Sequence, residues 1–184
     1  METFTNLEDF VANPRYNEQR QQSLSRLDID QIDPPIIDLI SGFAKLSYCY
    51  TLQSCYGHFL HSYQKDDHNI EALPPSTTSV LSVDYRIAYI ALCIENRSSG
   101  KTLFEDFRGV PEIDPEYIQF GCAEWFWKRQ VNSYALQVEP KRYMTKDKVR
   151  VGYQEALHIE RVRNQFFDQL YKLLQARLGS RQSS

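Results

Sequence analysis

The stretch Leu46–His61, which reads LSYCYTLQSCYGHFLH, is the part of the chain on which both the fold and the candidate chemistry depend. Its first half, Tyr48–Ser54, predicts a β-strand, because alternate side chains of a strand point to opposite faces. The segment Cys55–His58 then predicts a turn, in which Gly57 supplies a backbone conformation that other residues avoid. Phe59–Tyr63 is expected to return as the second strand of a hairpin.

Helices are predicted on both sides of this stretch. Before it, Asp33 is suited to cap a helix over Pro34–Ala44, because proline is tolerated in the first helical turn. At the far end of the chain, Tyr153–Leu178 keeps a helical spacing of apolar residues, and Gly179 stands where a C-terminal cap belongs.

The strongest strand signal lies in Val80–Asn96, whose centre is apolar almost without interruption. Such a run is typical of a strand that is covered on both faces in the middle of a sheet. Tyr117–Cys122 and Val131–Val138 predict two further strands. We therefore expect the α/β class, with α+β as the alternative: a single domain with a mixed sheet of about four or five strands, packed by two or three helices.

The predicted organisation has three parts. Residues 1–30 form an N-terminal helical arm, residues 31–179 form the single α/β domain, and residues 180–184 form a disordered tail.

Composition and charge narrow the classes of function. The net charge of -3 argues against a strongly basic nucleic-acid surface, although a local basic patch stays open. The four cysteines show no Cys-x-x-Cys spacing, and no secretion signal is evident, so a cytoplasmic protein with reduced thiols is expected. No apolar run approaches the ~20 residues that span a bilayer, so no membrane association is expected.

Three residues of the turn and the strand that follows it form a candidate metal site. Cys55, His58 and His61 are zinc-type ligands at close spacing, and His68 is a candidate fourth ligand. The second Cys/His pair that usually completes such a site is absent from the sequence. The alternative is a structural turn in which Cys55 is a small buried residue and Gly57 provides the bend.

The same turn is a candidate catalytic or ligand-binding site. Cys55 is a candidate nucleophile, with His58 or His61 as its base, because a thiolate needs a neighbour that lowers its pKa or takes its proton. Ser54 and Gly57 are the expected ligand contacts beside them, since a glycine allows the backbone to approach a ligand closely.

A second ligand-binding candidate combines aromatic rings and cations. Trp125, Trp127, Lys128 and Arg129 lie within five consecutive residues. Aromatic rings can stack on bases while cations neutralise phosphates, so RNA is the predicted partner of this segment. The alternative is that the tryptophans belong to the core or to a homo-oligomer interface shared with the terminal helix.

The segment Asp30–His58 resembles the start of the tRNA wybutosine-synthesising methyltransferase family that acts at the third step of that pathway. The family has an acidic turn, a helix rich in Ile and Leu, and a strand ending in Ser-Cys-Ser-Gly-Arg. The residues that agree here are Tyr50, Thr51, Ser54, Cys55 and Gly57, while His58 stands where the family has arginine. The resemblance implies a related architecture, and it suggests RNA as a partner and S-adenosylmethionine as a cofactor.

Two interpretations of function follow from these features. The first is a ligand-binding or catalytic cleft at Ser54–His61 that acts on RNA or a nucleotide-like substrate, with S-adenosylmethionine or zinc as the candidate cofactor. The second is a non-enzymatic interaction or oligomerisation module in which the turn at Cys55–Gly57 is structural.

Overall fold

The computed structural model describes residues 4–61, 66, 68, 70–74, 80–143 and 146–179. The predicted tail over 180–184 and the last two residues of the predicted strand Phe59–Tyr63 lie outside these ranges.

The strands and helices follow one another along the whole chain. The strands are β1 (Phe4–Thr5), β2 (Cys49–Cys55), β3 (His58–Leu60), β4 (Ser82–Arg86), β5 (Ala88–Ile94), β6 (Ile118–Ala123), β7 (Ser133–Val138) and β8 (Lys148–Gly152). The helices are α1 (Tyr16–Ser25), α2 (Ile37–Lys45), α3 (Ser98–Arg108), α4 (Glu124–Arg129) and α5 (Tyr153–Gly179).

Two antiparallel sheets organise these elements. The larger has five strands in the order β1-β6-β7-β5-β2, and the smaller has three in the order β3-β4-β8. The predicted α/β class, the sheet of about four or five strands and the long C-terminal helix are confirmed. The predicted mixture of parallel and antiparallel strands is not found, because each described pairing between strands is antiparallel.

The main core lies on one face of the larger sheet. Along β5, the side chains of Ile90, Leu92 and Ile94 join the core that α2, α3 and α5 cover. The intervening residues Ala91 and Cys93 belong to two smaller clusters that α4 and α1 cover. This alternation places β5 between two covered faces, as its apolar sequence predicts.

The long apolar run proves to be two strands rather than one. At Ile87 the chain leaves β4 in the smaller sheet and enters β5 in the larger sheet. The change is stabilised by hydrogen bonds that replace regular ladder bonds: the Ile87 N–H donates to the Asp147 carbonyl, and the Ala88 N–H donates to the Tyr85 hydroxyl. The predicted hairpin after β2 is also wrong, because β3 pairs with β4 instead.

The N-terminal segment, predicted as a helical arm over residues 1–30, contains helix α1 and packs on the larger sheet. Strand β1 pairs with β6 at the edge of the larger sheet. The side-chain amide of Asn132 holds the backbone of Val11 through two hydrogen bonds of 2.9 Å, one donated and one accepted. Tyr16 is buried against Tyr50 with ring centroids 5.6 Å apart, which fixes α1 on the sheet.

Among the described residues, no helix is both long enough and apolar enough to cross a membrane.

Candidate functional site

Asp33 connects the two ends of the segment Asp30–His58, which carries the resemblance described above. The predicted capping hydrogen bond from its side chain is absent: a 3-10 turn over Pro34–Ile36 precedes α2, and there it is the Asp33 backbone carbonyl that accepts the Ile36 N–H at 3.0 Å. Its carboxylate oxygen Oδ2 instead accepts the Tyr56 backbone N–H at 2.7 Å and lies 3.3 Å from His58 Nε2. The carboxylate therefore ties the beginning of α2 to the turn that follows β2.

The turn itself depends on Gly57. Its φ is +88°, in the region that favours glycine, and its N–H donates to Cys55 Sγ at 3.4 Å. A Cβ atom at Gly57 would lie 2.8 Å from the Cβ of Ala88. The sequence predicts that Gly57 allows a ligand to approach the backbone closely. In the structure, the group that approaches Gly57 is Ala88 of strand β5.

Arg163, which lies on α5 far along the chain, packs against the turn and binds its backbone. This residue of α5 is only 3% exposed, and its Nη1 donates to the Gly57 carbonyl at 3.0 Å. Its guanidinium lies over the rings of Tyr56 and Phe59, 4.2 Å and 5.0 Å from their centroids. Such contacts stabilise a buried cation.

Neither Asp33 nor Arg163 was predicted as a site residue, although the sequence carries a signal for the second. Arg163 falls on the apolar stripe of α5, four residues after Ile159 and three before Phe166. A cation at such a position faces the interior and needs a partner there.

The imidazole of His58 and the carboxylate of Asp33 shift each other's pKa at the turn. Hydrogen bonds to Asp33 and then to Cys55 raise the pKa of His58 to about 10, although burial works against this. Burial raises the pKa of Asp33, but hydrogen bonds from His58 and from the Tyr56 N–H outweigh it and hold that pKa below its ordinary value. At neutral pH the pair is therefore an imidazolium and a carboxylate.

We expect His58→Gln to lower the free energy of unfolding by roughly 2–4 kcal/mol at pH 6, because it leaves the buried end of Asp33 without its cation. The folded pKa of His58 is raised, so its contribution is complete below about pH 6.5 and is lost as the pH rises towards 10. Urea unfolding at pH 6 and pH 10 should show the difference between the two proteins shrinking at the higher pH.

His158→Gln is the matched control for this substitution. His158 Nε2 also lies near a carboxylate, 2.8 Å from Asp114 Oδ2, but its side chain is 36% exposed. A pair so open to water contributes about 1 kcal/mol or less. Equal losses in the two variants, or a His58 loss that does not depend on pH, would contradict the assignment.

The predicted metal ligands are only partly brought together. Among the described residues, Asp33, Cys55 and His58 form a group whose ligand atoms all lie within 4.8 Å of one another. His61, which we predicted as the third ligand, is not a member of this group. His68, the candidate fourth ligand, is exposed and is not a member of the group either, although its ring centroid lies 6.3 Å from that of His58.

The candidate nucleophile and base are almost completely covered. Cys55 is 4% exposed and His58 is 1% exposed, whereas the Asp33 side chain is 18% exposed and Ser54 is half-buried. Access to the cluster is therefore greatest on the Asp33 side. None of the four cysteines forms a disulfide.

The aromatic and basic cluster lies at the other end of the larger sheet. It forms helix α4, which directly follows β6, whereas Cys55 pairs with Tyr89 beside the opposite end of that strand. The length of β2 puts about 20 Å between the two ends. The structure therefore does not bring these two predicted sites together.

Within α4, only part of the cluster faces solvent. Trp125 is 45% exposed, and the Arg129 guanidinium stacks 3.4 Å from the centroid of its ring. Lys128 forms a surface ion pair with Glu124, while Trp127 is partly buried against Tyr134. Trp125 and Arg129 are thus the pair with an accessible stacking surface.

The predicted interface role of the terminal helix conflicts with its packing. The apolar stripe of α5, which includes Phe166, Leu170 and Leu174, is buried in the core of the same chain. The helix therefore has no such apolar stripe left to offer a second copy.

A buried carboxyl group that we did not predict lies near the end of the larger sheet that holds the turn. Glu139 follows β7 and is completely buried, and its Oε2 accepts a hydrogen bond from Gln137 at 3.0 Å. Burial raises the pKa of Glu139 to about 8. Its Oε1 and both amide atoms of Gln119 have no hydrogen-bond partner within the described part of the chain.

No protein-family model and no curated protein matches the chain. Among solved structures, the chain is similar to the PH1069 protein from Pyrococcus horikoshii, with 12% sequence identity and a TM-score of 0.47. The similarity covers 92% of this chain and 99% of that protein. At this TM-score it carries no information on activity.

Proposed function

We propose that the protein acts on RNA or a nucleotide-like substrate at the Asp33–Cys55–His58 cluster. The observation that carries this proposal is the meeting of the two ends of the resembling segment. The acidic turn and the strand end, which lie 23 residues apart from Asp33 to Tyr56, join through the carboxylate of Asp33. Cys55 and Gly57, two of the residues that carry the resemblance, thus lie in one local unit with Asp33.

The departure at His58 fits this interpretation. The family has an arginine at the corresponding position, and the imidazole of His58, whose pKa is raised to about 10, is also a cation at neutral pH. A positive charge is therefore kept beside Asp33 despite the change of residue. This charge balances that of the Asp33 carboxylate at the turn.

The turn and helix α4 lie at opposite ends of the larger sheet, so a small ligand and a strand of RNA would make different contacts with the protein. A mononucleotide or S-adenosylmethionine, if bound at the turn, would not extend the roughly 20 Å to α4. An RNA strand could contact both ends, with a base stacked on Trp125 and phosphates near Arg129.

We expect Trp125→Ala to weaken binding of tRNA or single-stranded RNA by roughly 10-fold, because a lost base–aromatic stack removes about 1–3 kcal/mol. Asp33→Asn should weaken binding of S-adenosylmethionine, because it removes a carboxylate that attracts the cationic sulfonium and ammonium groups of this molecule. Fluorescence titration with labelled RNA and calorimetry with S-adenosylmethionine measure the two affinities separately, and Arg15→Ala removes an exposed cation just before α1 as the control.

The results separate the alternatives. Binding of RNA without S-adenosylmethionine keeps the substrate class and removes the methyl donor as cofactor. If the folded protein binds neither, the proposal fails, and an interaction module becomes the better interpretation, with exposed Trp125 as its contact.

A further inference from the structure

The turn after β2 gathers three side chains of different ligand chemistry. We propose that Asp33, Cys55 and His58 hold a divalent transition-metal ion of the zinc type. The proposal concerns the same cluster as the function above but does not require that function. The ion can be present or absent whichever substrate the protein binds.

The donor set selects the class of metal. A thiolate sulfur, an imidazole nitrogen and a carboxylate oxygen are the three ligand types that zinc uses in proteins. Magnesium and calcium prefer oxygen ligands alone, so the sulfur of Cys55 and the nitrogen of His58 argue against them.

The spacing of the donor atoms is close to what a zinc ion needs. With bond lengths of about 2.0–2.3 Å, tetrahedral ligand atoms stand roughly 3.3–3.8 Å apart. The Asp33 and His58 atoms are already 3.3 Å apart, and all three donors lie within 4.8 Å of one another. Movements of about 1 Å would complete the geometry and leave a fourth position for water or a substrate atom.

The surrounding backbone holds two of the ligands in place. The Tyr56 N–H donates to the Asp33 carboxylate, and the Gly57 N–H donates to Cys55 Sγ. Hydrogen bonds of this kind orient metal ligands, and the loss of one costs natural sites about 10–100-fold in metal affinity. Arg163 fixes the same turn through the Gly57 carbonyl, so the cluster is tied to three parts of the chain.

Binding of the ion exchanges protons for metal and involves no oxidation. Zinc binds sulfur as thiolate and the imidazole in its neutral form, so any protons that these two ligand atoms carry pass to solvent. The two negative charges of Asp33 and Cys55 then balance the two positive charges of the ion. Entry is from the side of Asp33, the most exposed of the three ligands.

The test uses the full chain, freed of metal by a chelator and titrated with cobalt(II) and with zinc. We expect one ion per chain, and with cobalt an absorption band from thiolate-to-metal charge transfer. Cys55→Ser should abolish this band, and His58→Gln should weaken zinc binding by at least roughly 100-fold, since each removes one of only three protein ligands.

Matched variants show whether the cluster itself is responsible. Cys122→Ala removes a buried thiol elsewhere in the sheet, and His158→Gln removes an imidazole that also pairs with a carboxylate, so both should keep full binding. The cobalt band of the unaltered protein needs no variant and stays informative even if Cys55→Ser fails to fold.

Two results would overturn the proposal: a folded protein that binds neither ion, or zinc binding that persists in folded Cys55→Ser and His58→Gln. Binding of RNA or S-adenosylmethionine by the metal-free protein would support the proposed function independently. The failure of one proposal is therefore distinguishable from the failure of the other.

Discussion

Gly57→Ala is expected to lower the free energy of unfolding by roughly 2–5 kcal/mol, because the turn after β2 leaves no room for a side chain at this position. A left-handed backbone costs an L-residue about 1–2 kcal/mol. The new Cβ would also lie 2.8 Å from the Ala88 Cβ and 3.0 Å from the Ala88 nitrogen, and overpacking of this kind costs about 1–3 kcal/mol.

Urea unfolding at pH 7 measures this loss as a lower midpoint with an unchanged slope. Gly152→Ala is the control, because a Cβ at that glycine meets no atom within 4 Å. It should change stability by about 0.5 kcal/mol or less. A loss of similar size at both glycines would mean that the turn is not the constraint described here.

Glu139→Gln is expected to stabilise the protein in alkaline solution, with a gain of roughly 2–4 kcal/mol at pH 8.5. Because the folded pKa of Glu139 is about 8 and its ordinary value is 4.5, the unfolded chain releases the proton first. Stability therefore falls as the pH rises from about 4.5 to 8. Glutamine has the shape of the protonated acid and no charge to bury.

The gain should disappear near pH 4.5, where Glu139 is protonated in the folded protein and costs little. Thermal unfolding from pH 4.5 to pH 9 follows the difference between the two proteins. Glu112→Gln makes the same change of net charge at an exposed residue and should leave the profile within about 0.5 kcal/mol. A gain that is equal at all pH values would show that Glu139 does not titrate as described.

The periodic parts of the sequence predicted the elements that periodicity determines. The apolar stripe of α5 and the runs that form β2, β6 and β7 carry the signal of a buried face, and each element forms within a few residues of its predicted bounds. No periodic signal in the sequence marks Ile87, where the chain passes from the smaller sheet to the larger. This change of sheet depends on the Tyr85 hydroxyl and the Asp147 carbonyl, whose positions are set by tertiary contacts.

The same distinction applies to the candidate site. Cys55, Gly57 and His58 are close in sequence and could be grouped by spacing alone. Asp33 was predicted as a helix cap because its local context favours that role, yet the buried cation of His58 and the Tyr56 N–H offer the carboxylate stronger partners. Arg163 is 106 residues from Gly57, a separation that spacing cannot bridge.

That separation also sets the order of events when the chain is made. Residues up to 61 leave the ribosome early, with the turn and both partners of the His58–Asp33 pair already synthesised, but Arg163 follows only near the end. Contacts between distant segments are slow to form, and domains complete their folding as units. The turn therefore cannot reach its final structure until α5 has been synthesised. A chain truncated before residue 163 would keep Asp33, Cys55 and His58 but would lack the guanidinium that binds the Gly57 carbonyl.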